Sequence, residues 1–301
     1  MIKRPNFFIV GAPKAGTTAL YEYLRHHPGV FMPEKKEPHY FATDFTRFPR
    51  VASEGEFLGL FRKCSEEHTA IGEASPLYLY STAAVRNIYD FNSSSRIIVM
   101  LRNPVELVYS MHAQALYNFN EDEPDFRKAW ELQELRSRGE RIPPGCRAEQ
   151  LLQYRSLGSL GEQLERLYTV FPVNQVMVIY FEDFIRDTRS VYVDVLRFLG
   201  LQPHERESFE PVNVSKTHKS KLLGWLTQTP PRPVISAVRF MRTHLGLDIH
   251  RPLQWVRHLN ERPVSRPPME PALRCELQRV FADDIRLLER LTDRNLQAWL
   301  D

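Results

Sequence analysis

Residues 7–20 of this 301-residue chain read FFIVGAPKAGTTAL. The first four are apolar and include a β-branched pair, which is typical of a buried strand. A loop bounded by Gly11 and Gly16 follows, and an apolar periodicity that continues to Leu24 then predicts a helix. A strand, a glycine loop and a helix direct backbone N–H groups at one point, which favours a phosphate or sulfate. The segment therefore predicts an anion-binding loop in an α/β fold.

The loop differs from the nucleoside-triphosphate signature G-x-x-x-x-G-K-[ST]. Gly11 and Gly16 have its spacing, but Thr17 stands at the lysine position, and the lysine of this chain, Lys14, lies inside the loop. In that signature the lysine serves the β- and γ-phosphates, and the hydroxyl after it holds Mg²⁺. We therefore expect this loop to bind a 5′-phosphate and one bridging oxygen, without a metal ion.

A second phosphate motif follows the apolar run at residues 96–101, which predicts another buried strand. After it come Arg102, the good N-cap Asn103 and the good first helical residue Pro104. Arg102 is thus expected at the carboxyl end of a strand, where α/β sheets bind ligands. Its planar donor fork and the hydroxyl of Ser110, in the following helix, suit a phosphate.

Together the two motifs resemble those of sulfotransferases that use 3′-phosphoadenosine 5′-phosphosulfate (PAPS), both heparan-sulfate-type and soluble bacterial enzymes. The resemblance covers residues 7–221 and the C-terminal helix. It implies that PAPS is the donor, that 3′,5′-bisphosphoadenosine (PAP) is the product, and that Lys14 stabilises charge on the leaving bridging oxygen. It assigns the 3′-phosphate to Arg102 and Ser110. It assigns the 5′-phosphosulfate to seven loop residues: Gly11, Pro13, Lys14, Ala15, Gly16, Thr17 and Thr18.

The segment PEKKEPHYF, residues 33–41, would by composition alone be a solvated loop. It is similar to the Lys-Glu-x-His-Phe-Phe-like segment of glycan-modifying sulfotransferases, which implies that Glu37 is the catalytic base, with His39 beside it. An acceptor hydroxyl must lose its proton as it attacks sulfur, and a carboxylate or an imidazole can accept that proton. Neighbouring lysines lower the pKa of a glutamate and burial raises it. The choice between Glu37 and His39 therefore stays open, and Glu73 and His112 are the next candidates.

Residues 73–78, EASPLY, follow a predicted strand and resemble the Glu-Lys-[ST]-Pro-x-Tyr segment of the same family. Ala74 replaces the lysine that lies in the catalytic cleft of enzymes acting on anionic glycans, which argues against a heparan-like acceptor. We expect Glu73 and Ser75 to line the acceptor cleft. The alternative is that Ser75 and Pro76 only turn the chain.

Three further segments have open assignments. Residues 213–221 are basic, and the resemblance implies a flexible loop that closes over the nucleotide, with Lys216 and Lys219 as donor-binding candidates; a solvated loop is the alternative. Residues 121–149 are rich in charge and either shape the acceptor cleft or form a solvated spacer. Residues 222–268 match nothing specific and either pack on the core or contact the acceptor or a partner.

The predicted architecture is one α/β domain over residues 1–301, with a central parallel sheet flanked by helices, as in P-loop kinase-like sulfotransferases. A long amphipathic helix from Pro271 closes the fold. The predicted strands are residues 7–10, 30–32, 69–72, 96–101 and 175–180.

The composition bears on which partners and which cellular location the chain can have. Lys and Arg number 40 against 37 Asp and Glu, a net charge of +3, which is too balanced for nucleic acid as the main partner. The 3 cysteines are far apart and predict neither a disulfide framework nor a zinc site. No signal-like segment precedes residue 7 and no run of about 18 apolar residues occurs, so we expect a soluble, cytoplasmic protein that binds no membrane.

The expected function is transfer of a sulfuryl group from PAPS to a hydroxyl or amine of a small molecule, glycan or lipid. Two alternatives remain. A metal-dependent P-loop kinase would need a lysine after Gly16 and a carboxylate for Mg²⁺. A non-catalytic nucleotide-binding module would keep Arg102 and Ser110 but would tolerate the loss of Glu37.

Overall fold

A computed structural model describes residues 3–204, 206, 208–210, 216–220, 223–224, 259–263 and 266–301. The chain groups into two compact units. Unit one comprises residues 1–111, 153–213 and 270–301, and unit two comprises residues 112–152 and 214–269. The single domain expected over residues 1–301 stays a prediction.

The core of unit one is a five-stranded parallel sheet with the strand order β2-β3-β1-β4-β5. This confirms the predicted parallel α/β sheet, and every strand ends within two residues of its predicted bounds. The strands are β1 (Phe7–Gly11), β2 (Val30–Phe31), β3 (Ala70–Ala74), β4 (Arg96–Leu101) and β5 (Val176–Tyr180).

The middle of this sheet is fully buried. All five residues of β1 and of β3 are buried, and only Arg96 is exposed in β4. Continuous apolar strands are expected where helices cover both faces of a parallel sheet. Because β3 is buried along its whole length, its polar residue Glu73, which pairs in register with Phe8 of β1, is buried as well.

Helices connect the strands and continue into unit two. In chain order they are α1 (Thr17–Arg25), α2 (Glu54–Gly59), α3 (Ala84–Phe91), α4 (Pro104–Tyr117), α5 (Phe126–Glu131), α6 (Gln133–Ser137), α7 (Tyr154–Gly158), α8 (Leu160–Tyr168), α9 (Phe181–Arg186), α10 (Thr188–Phe198), α11 (Pro271–Thr292) and α12 (Gln297–Leu300).

The C-terminal helix α11 confirms the predicted closing helix. It begins at Pro271, and its buried side chains recur every three or four residues, which gives one apolar face. From its middle, Asp284 accepts hydrogen bonds from the backbone N–H groups of Gly161 (2.8 Å) and Glu162 (2.9 Å). These bonds cap the start of α8. Asp284 thus supports the start of α8 as a helix separate from α7.

Unit two buries an ion pair inside the charged segment 121–149. The guanidinium of Arg136 donates to both carboxylate oxygens of Glu121, at 2.6 and 2.7 Å, and neither side chain is exposed. Glu121 also accepts the backbone N–H groups of Asp122 and Glu123. The segment is therefore partly a packed structure rather than only a solvated spacer, and its relation to the acceptor stays a prediction.

Unit two also contains a short antiparallel pair, β6 (Lys216–His218) with β7 (Glu261–Pro263). Beside it, Asn260 accepts the N–H of Ser220 and donates to its carbonyl, at 2.8 and 2.9 Å. Of residues 222–268, only 223–224, 259–263 and 266–268 are described, so the roles expected for the rest lie outside the described residues. The same holds for residues 213–215 and 221 of the basic run.

The three cysteines, Cys64, Cys146 and Cys275, are free thiols, as the sequence predicts. Within the part of the chain that the structure describes, no helix has the length and apolar character needed to cross a bilayer.

Candidate donor-binding and catalytic site

The loop between β1 and α1 leaves a helix N-terminus open to a ligand. Gly16 is the N-cap of α1, no side chain caps that helix, and its first turn has no acidic residue. The first backbone N–H groups of a helix have no carbonyl partner within the helix, and the helix dipole places partial positive charge there. Thr17 and Thr18 add hydroxyl groups at the same end. This arrangement fits a phosphate or sulfate group.

Both loop glycines occupy positions that other residues would not fit. A Cβ atom on Gly11 would lie 2.8 Å from the carbonyl oxygen of Pro76 and from the Cβ of Leu79. Gly16 has a φ of 90°, and a Cβ there would lie 3.2 Å from ring atoms of Phe184. The tight loop therefore requires glycine, which has no side chain, at both positions.

The three predicted catalytic residues share an unusual backbone conformation. Among the described residues, six non-glycine residues have positive φ, and they include Lys14 (63°), Glu37 (59°) and His39 (50°). Such conformations are disfavoured for L-residues and persist where surrounding contacts hold them, often at ligand sites.

Arg102 contacts the loop directly. Its Nη1 donates to the carbonyl oxygen of Lys14 at 3.0 Å, and its guanidinium lies 4.7 Å from the centre of the Phe181 ring. Glu106, four residues on, is 4.0 Å from Nη2 and also forms an ion pair with Arg274 of α11. The structure therefore holds the predicted 3′-phosphate arginine against the predicted 5′-phosphate loop. Ser110, on α4, is buried and 4% exposed.

Glu37 lies between two basic groups. The Lys36 ammonium forms an ion pair with its Oε1, and His39 Nε2 is 3.6 Å from its Oε2. Partial desolvation raises the pKa of Glu37, but the hydrogen bond with His39 and the charge of Lys36 outweigh it and lower the pKa to about 2. Glu37 is therefore ionised at neutral pH. Its side chain is 42% exposed, so an acceptor can reach the carboxylate.

The His39 ring is buried behind that carboxylate. It packs edge-on against Phe48, with 4.8 Å between ring centres, and its Nδ1 has no hydrogen-bond partner. Only Nε2 faces Glu37. This geometry suits a histidine that orients Glu37 and keeps it ionised. It equally suits a histidine that accepts a proton itself, so the geometry does not decide between Glu37 and His39 as the base.

Glu73 and Ser75, expected on the wall of the cleft, lie beneath the turn that carries Glu37 and His39. Neither side chain is exposed. Ser75 Oγ donates to Glu73 Oε1 at 2.6 Å and accepts the backbone N–H of His39 at 3.1 Å. Burial raises the pKa of Glu73 to about 8, with hydrogen bonds from Ser75 and Tyr78 acting in the opposite direction.

Three other candidates belong to unit two. His112 is buried, and its Nε2 is 2.8 Å from the carbonyl oxygen of Glu123. Lys219 donates from Nζ to the carbonyl oxygen of Leu259 at 2.7 Å. Lys216 lies in β6, and its side chain is outside the described residues. Roles for these residues at the donor or acceptor stay predictions.

Sequence reasoning missed two residues that contact Arg102. The contact with Glu106 could have been predicted, because a glutamate four residues after an arginine in a helix is commonly placed to form an ion pair with it. Phe181 immediately follows β5 and so lies at the same carboxyl edge of the sheet as Arg102. The described ranges contain no cluster of three His, Cys, Asp or Glu side chains that could hold a metal ion.

Comparison with known proteins gives a consistent result. A family model described as the sulfotransferase domain matches residues 4–243. Human bifunctional heparan sulfate N-deacetylase/N-sulfotransferase 3 is 29% identical over 205 residues, which cover 66% of this chain and 23% of that protein. Human carbohydrate sulfotransferase 15 is 31% identical over 147 residues, covering 35% of this chain and 26% of that protein. The matches thus span about a quarter of the length of these curated relatives.

A solved structure matches the whole chain. The crystal structure of a sulfotransferase from Alicyclobacillus acidocaldarius is 29% identical, covers 100% of both chains and gives a TM-score of 0.71.

Proposed function

Because this chain belongs to the sulfotransferase domain family, we propose that it transfers the sulfuryl group of PAPS to a hydroxyl or amine of an acceptor. The observation that carries this proposal is the contact between the two phosphate motifs. The Arg102 guanidinium donates to the backbone of Lys14, in the loop that ends at the uncapped N-terminus of α1. A ligand with phosphates at both its 5′ and 3′ ends matches this pair of motifs.

The residues present fit such a donor. The backbone N–H groups of Ala15 to Thr18 and the two threonine hydroxyls bind the 5′-phosphate. Arg102 and Ser110 bind the 3′-phosphate through charge-assisted hydrogen bonds. PAPS supplies a sulfuryl group on a bridging oxygen, with PAP as the leaving group.

Lys14 and Glu37 have different roles in the transfer step. An acceptor oxygen or nitrogen forms the new bond to sulfur as the bond from sulfur to the bridging oxygen breaks. The Lys14 ammonium stabilises the negative charge that develops on that bridging oxygen. Glu37 takes the proton that the acceptor loses, and its low pKa keeps it ionised for that task. Lys36 and His39 hold its carboxylate in place.

For the acceptor we propose a glycan first, because two relatives are named for heparan sulfate and carbohydrate. Small molecules and lipids remain in the test, since Ala74 replaces the family's cleft lysine. The experiment incubates the protein with radiolabelled PAPS and a panel: N-deacetylated heparosan, chondroitin, a phenol, a primary alcohol and a sphingoglycolipid. Label transfer to any member supports the proposal, and label transfer to none of these classes contradicts it. We also propose a cytoplasmic location, which cell fractionation tests.

Arg102→Ala should weaken PAP binding by about 1.5–3 kcal/mol, which is roughly a 10- to 100-fold rise in Kd, because a charge-assisted contact to phosphate is lost. Isothermal titration calorimetry with PAP measures this. Adenosine 5′-phosphate lacks the 3′-phosphate. The factor by which Arg102→Ala raises its Kd should therefore be at least tenfold smaller than the factor for PAP. Arg197→Ala, which removes an exposed arginine paired with Asp194, is the matched control and should change neither Kd. Equal losses for both nucleotides would contradict the 3′-phosphate assignment.

Sulfuryl transfer should persist in EDTA. The Lys14 ammonium and the dipoles of the loop supply the positive charge, and the transferred group carries less negative charge than a phosphoryl group. Initial rates with radiolabelled PAPS are compared before and after dialysis against the chelator. Loss of activity that Mg²⁺ restores would instead favour the metal-dependent kinase.

A further inference from the structure

Glu73 is a buried carboxyl group without a cation of its own. It lies near the end of β3, paired in register with Phe8 of β1, and none of its surface is exposed. No described basic group lies within ion-pair distance of it, and its Oε2 has no hydrogen-bond donor. An unpaired carboxylate is very unfavourable in such a place, whereas the neutral acid is tolerated.

The groups that face Glu73 do not supply the missing charge. They are Ser75 and Tyr78 from the segment after β3, and Lys36 and Glu37 from residues 36–39, the catalytic turn. The Lys36 ammonium is already paired with Glu37. The Tyr78 hydroxyl is buried and accepts the backbone N–H of Phe41 at 3.4 Å. This environment favours the protonated form of Glu73.

Glu73 is connected to the catalytic turn through Ser75. A serine hydroxyl has one proton and two lone pairs. The Ser75 hydroxyl donates a hydrogen bond to Glu73 Oε1. A lone pair of the same oxygen therefore remains to accept the backbone N–H of His39. The backbone N–H of Glu37 donates to the carbonyl oxygen of Ala74 at 3.2 Å. Two hydrogen bonds thus fasten the turn, with its positive φ angles, to the end of β3.

We propose that Glu73 is a positioning residue for catalysis, which holds the turn of Glu37 and His39 through Ser75 while it is a neutral acid. Its effect on turnover rests on the proposed sulfuryl transfer. The effect on the structure of the turn does not, and the two can be measured separately.

Ionisation of Glu73 should loosen this arrangement. It would place a second carboxylate beside Glu37, where the two would compete for Lys36. Because burial raises the pKa of Glu73 to about 8, this change should occur near that pH. The pKa of Glu73 in the folded chain lies above the ordinary carboxyl value of 4.5, so the unfolded chain loses this proton at a lower pH. The contribution of Glu73 to stability is therefore complete below about pH 4.5 and falls as the pH rises to about 8.

The first test uses nuclear magnetic resonance on the full chain and needs no acceptor. The backbone amide signal of His39 should shift with pH with a midpoint near 8 and should be flat in Glu73→Gln. The matched control is Asp284→Asn, which changes a half-buried carboxyl group of α11 whose pKa is also raised by burial and which accepts backbone N–H groups at the start of α8. It should leave the His39 titration unchanged. A wild-type amide that does not titrate, or one that titrates equally in Glu73→Gln, overturns the proposal.

The second test uses radiolabelled PAPS and the panel acceptor that the wild-type protein modifies fastest. Glu73→Ala and Ser75→Ala should lower kcat by about 10- to 100-fold, since small misplacements of catalytic groups have effects of that size. Their Kd for PAP should not change, which also shows that they are folded. Glu73→Gln should keep at least ten times the kcat of Glu73→Ala and should lose the decline in kcat near pH 8.

Equal kcat values for Glu73→Gln and Glu73→Ala, or an unchanged alkaline decline in Glu73→Gln, would overturn the positioning role. If the wild-type protein modifies no panel acceptor, the proposed function is contradicted instead. The His39 amide titration then still tests whether Glu73 holds the turn.

Discussion

Lys14→Met should lower kcat for sulfuryl transfer by about 10²–10³-fold, the usual effect of removing one group that stabilises a developing oxyanion. Methionine keeps most of the length of the side chain but cannot carry charge. The loss should fall on the chemical step, because the charge on the bridging oxygen is largest in the transition state. Rapid-quench measurement of a single turnover with radiolabelled PAPS isolates that step.

Two variants serve as controls for Lys14. Lys63→Met removes a lysine whose side chain is 76% exposed and paired with Glu34, and should leave the rate unchanged. Lys14→Arg keeps the charge but not the compact ammonium, and should recover only part of the rate. A Lys14→Met enzyme with a normal single-turnover rate would remove Lys14 from the chemical step.

Glu37→Gln should lower turnover by about 10²–10⁴-fold while the Kd for PAP stays the same. Glutamine keeps the shape and can still accept a hydrogen bond, but it cannot accept a proton at the attacking atom. His39→Ala should have a smaller effect. If His39→Ala is inactive and Glu37→Gln stays active, the histidine is the base. If both stay active, neither residue is the base.

The pH dependence gives a second measure of the Glu37 role. Its pKa of about 2 is depressed, so the carboxylate form persists well below pH 4.5. The stability that Glu37 contributes is complete above the ordinary carboxyl pKa and is lost only as the pH falls toward 2. Accordingly kcat/KM should not decline between pH 7 and pH 5. A decline in that range with a histidine-like midpoint would instead indicate an imidazole base.

The sequence predicts the strand and the helix on either side of the glycine loop well, because the evidence for them is local. Gly11, Lys14 and Gly16 lie within six residues, and the strand before them and the helix after them are strongly patterned. Arg102 follows a buried strand directly, so its place at the carboxyl edge also follows from the order of residues. In both cases the structure contains the elements that the pattern predicts.

Other features depend on residues far apart in the chain and could not be predicted. The burial of Glu73 follows from the position of β3 between β2 and β1, which no pattern within residues 70–74 reveals. The separation of α7 from α8 involves Asp284, more than 120 residues later. The burial of Arg136 depends on Glu121, whose charge alone would suggest a solvated position.

The uncapped first turn of α1 links ligand binding to heat resistance. A serine or aspartate at an N-cap adds about 1 kcal/mol to stability relative to alanine and roughly a few tenths of a kcal/mol relative to glycine. Here Gly16 leaves that stabilisation unused, and an aspartate would fill the anion site with negative charge. In the proposed donor complex the 5′-phosphate would supply the missing cap. A ligand present at one hundred times its Kd would then add about 2.7 kcal/mol to the free energy of unfolding. The melting temperature of this protein should thus report how full its donor site is.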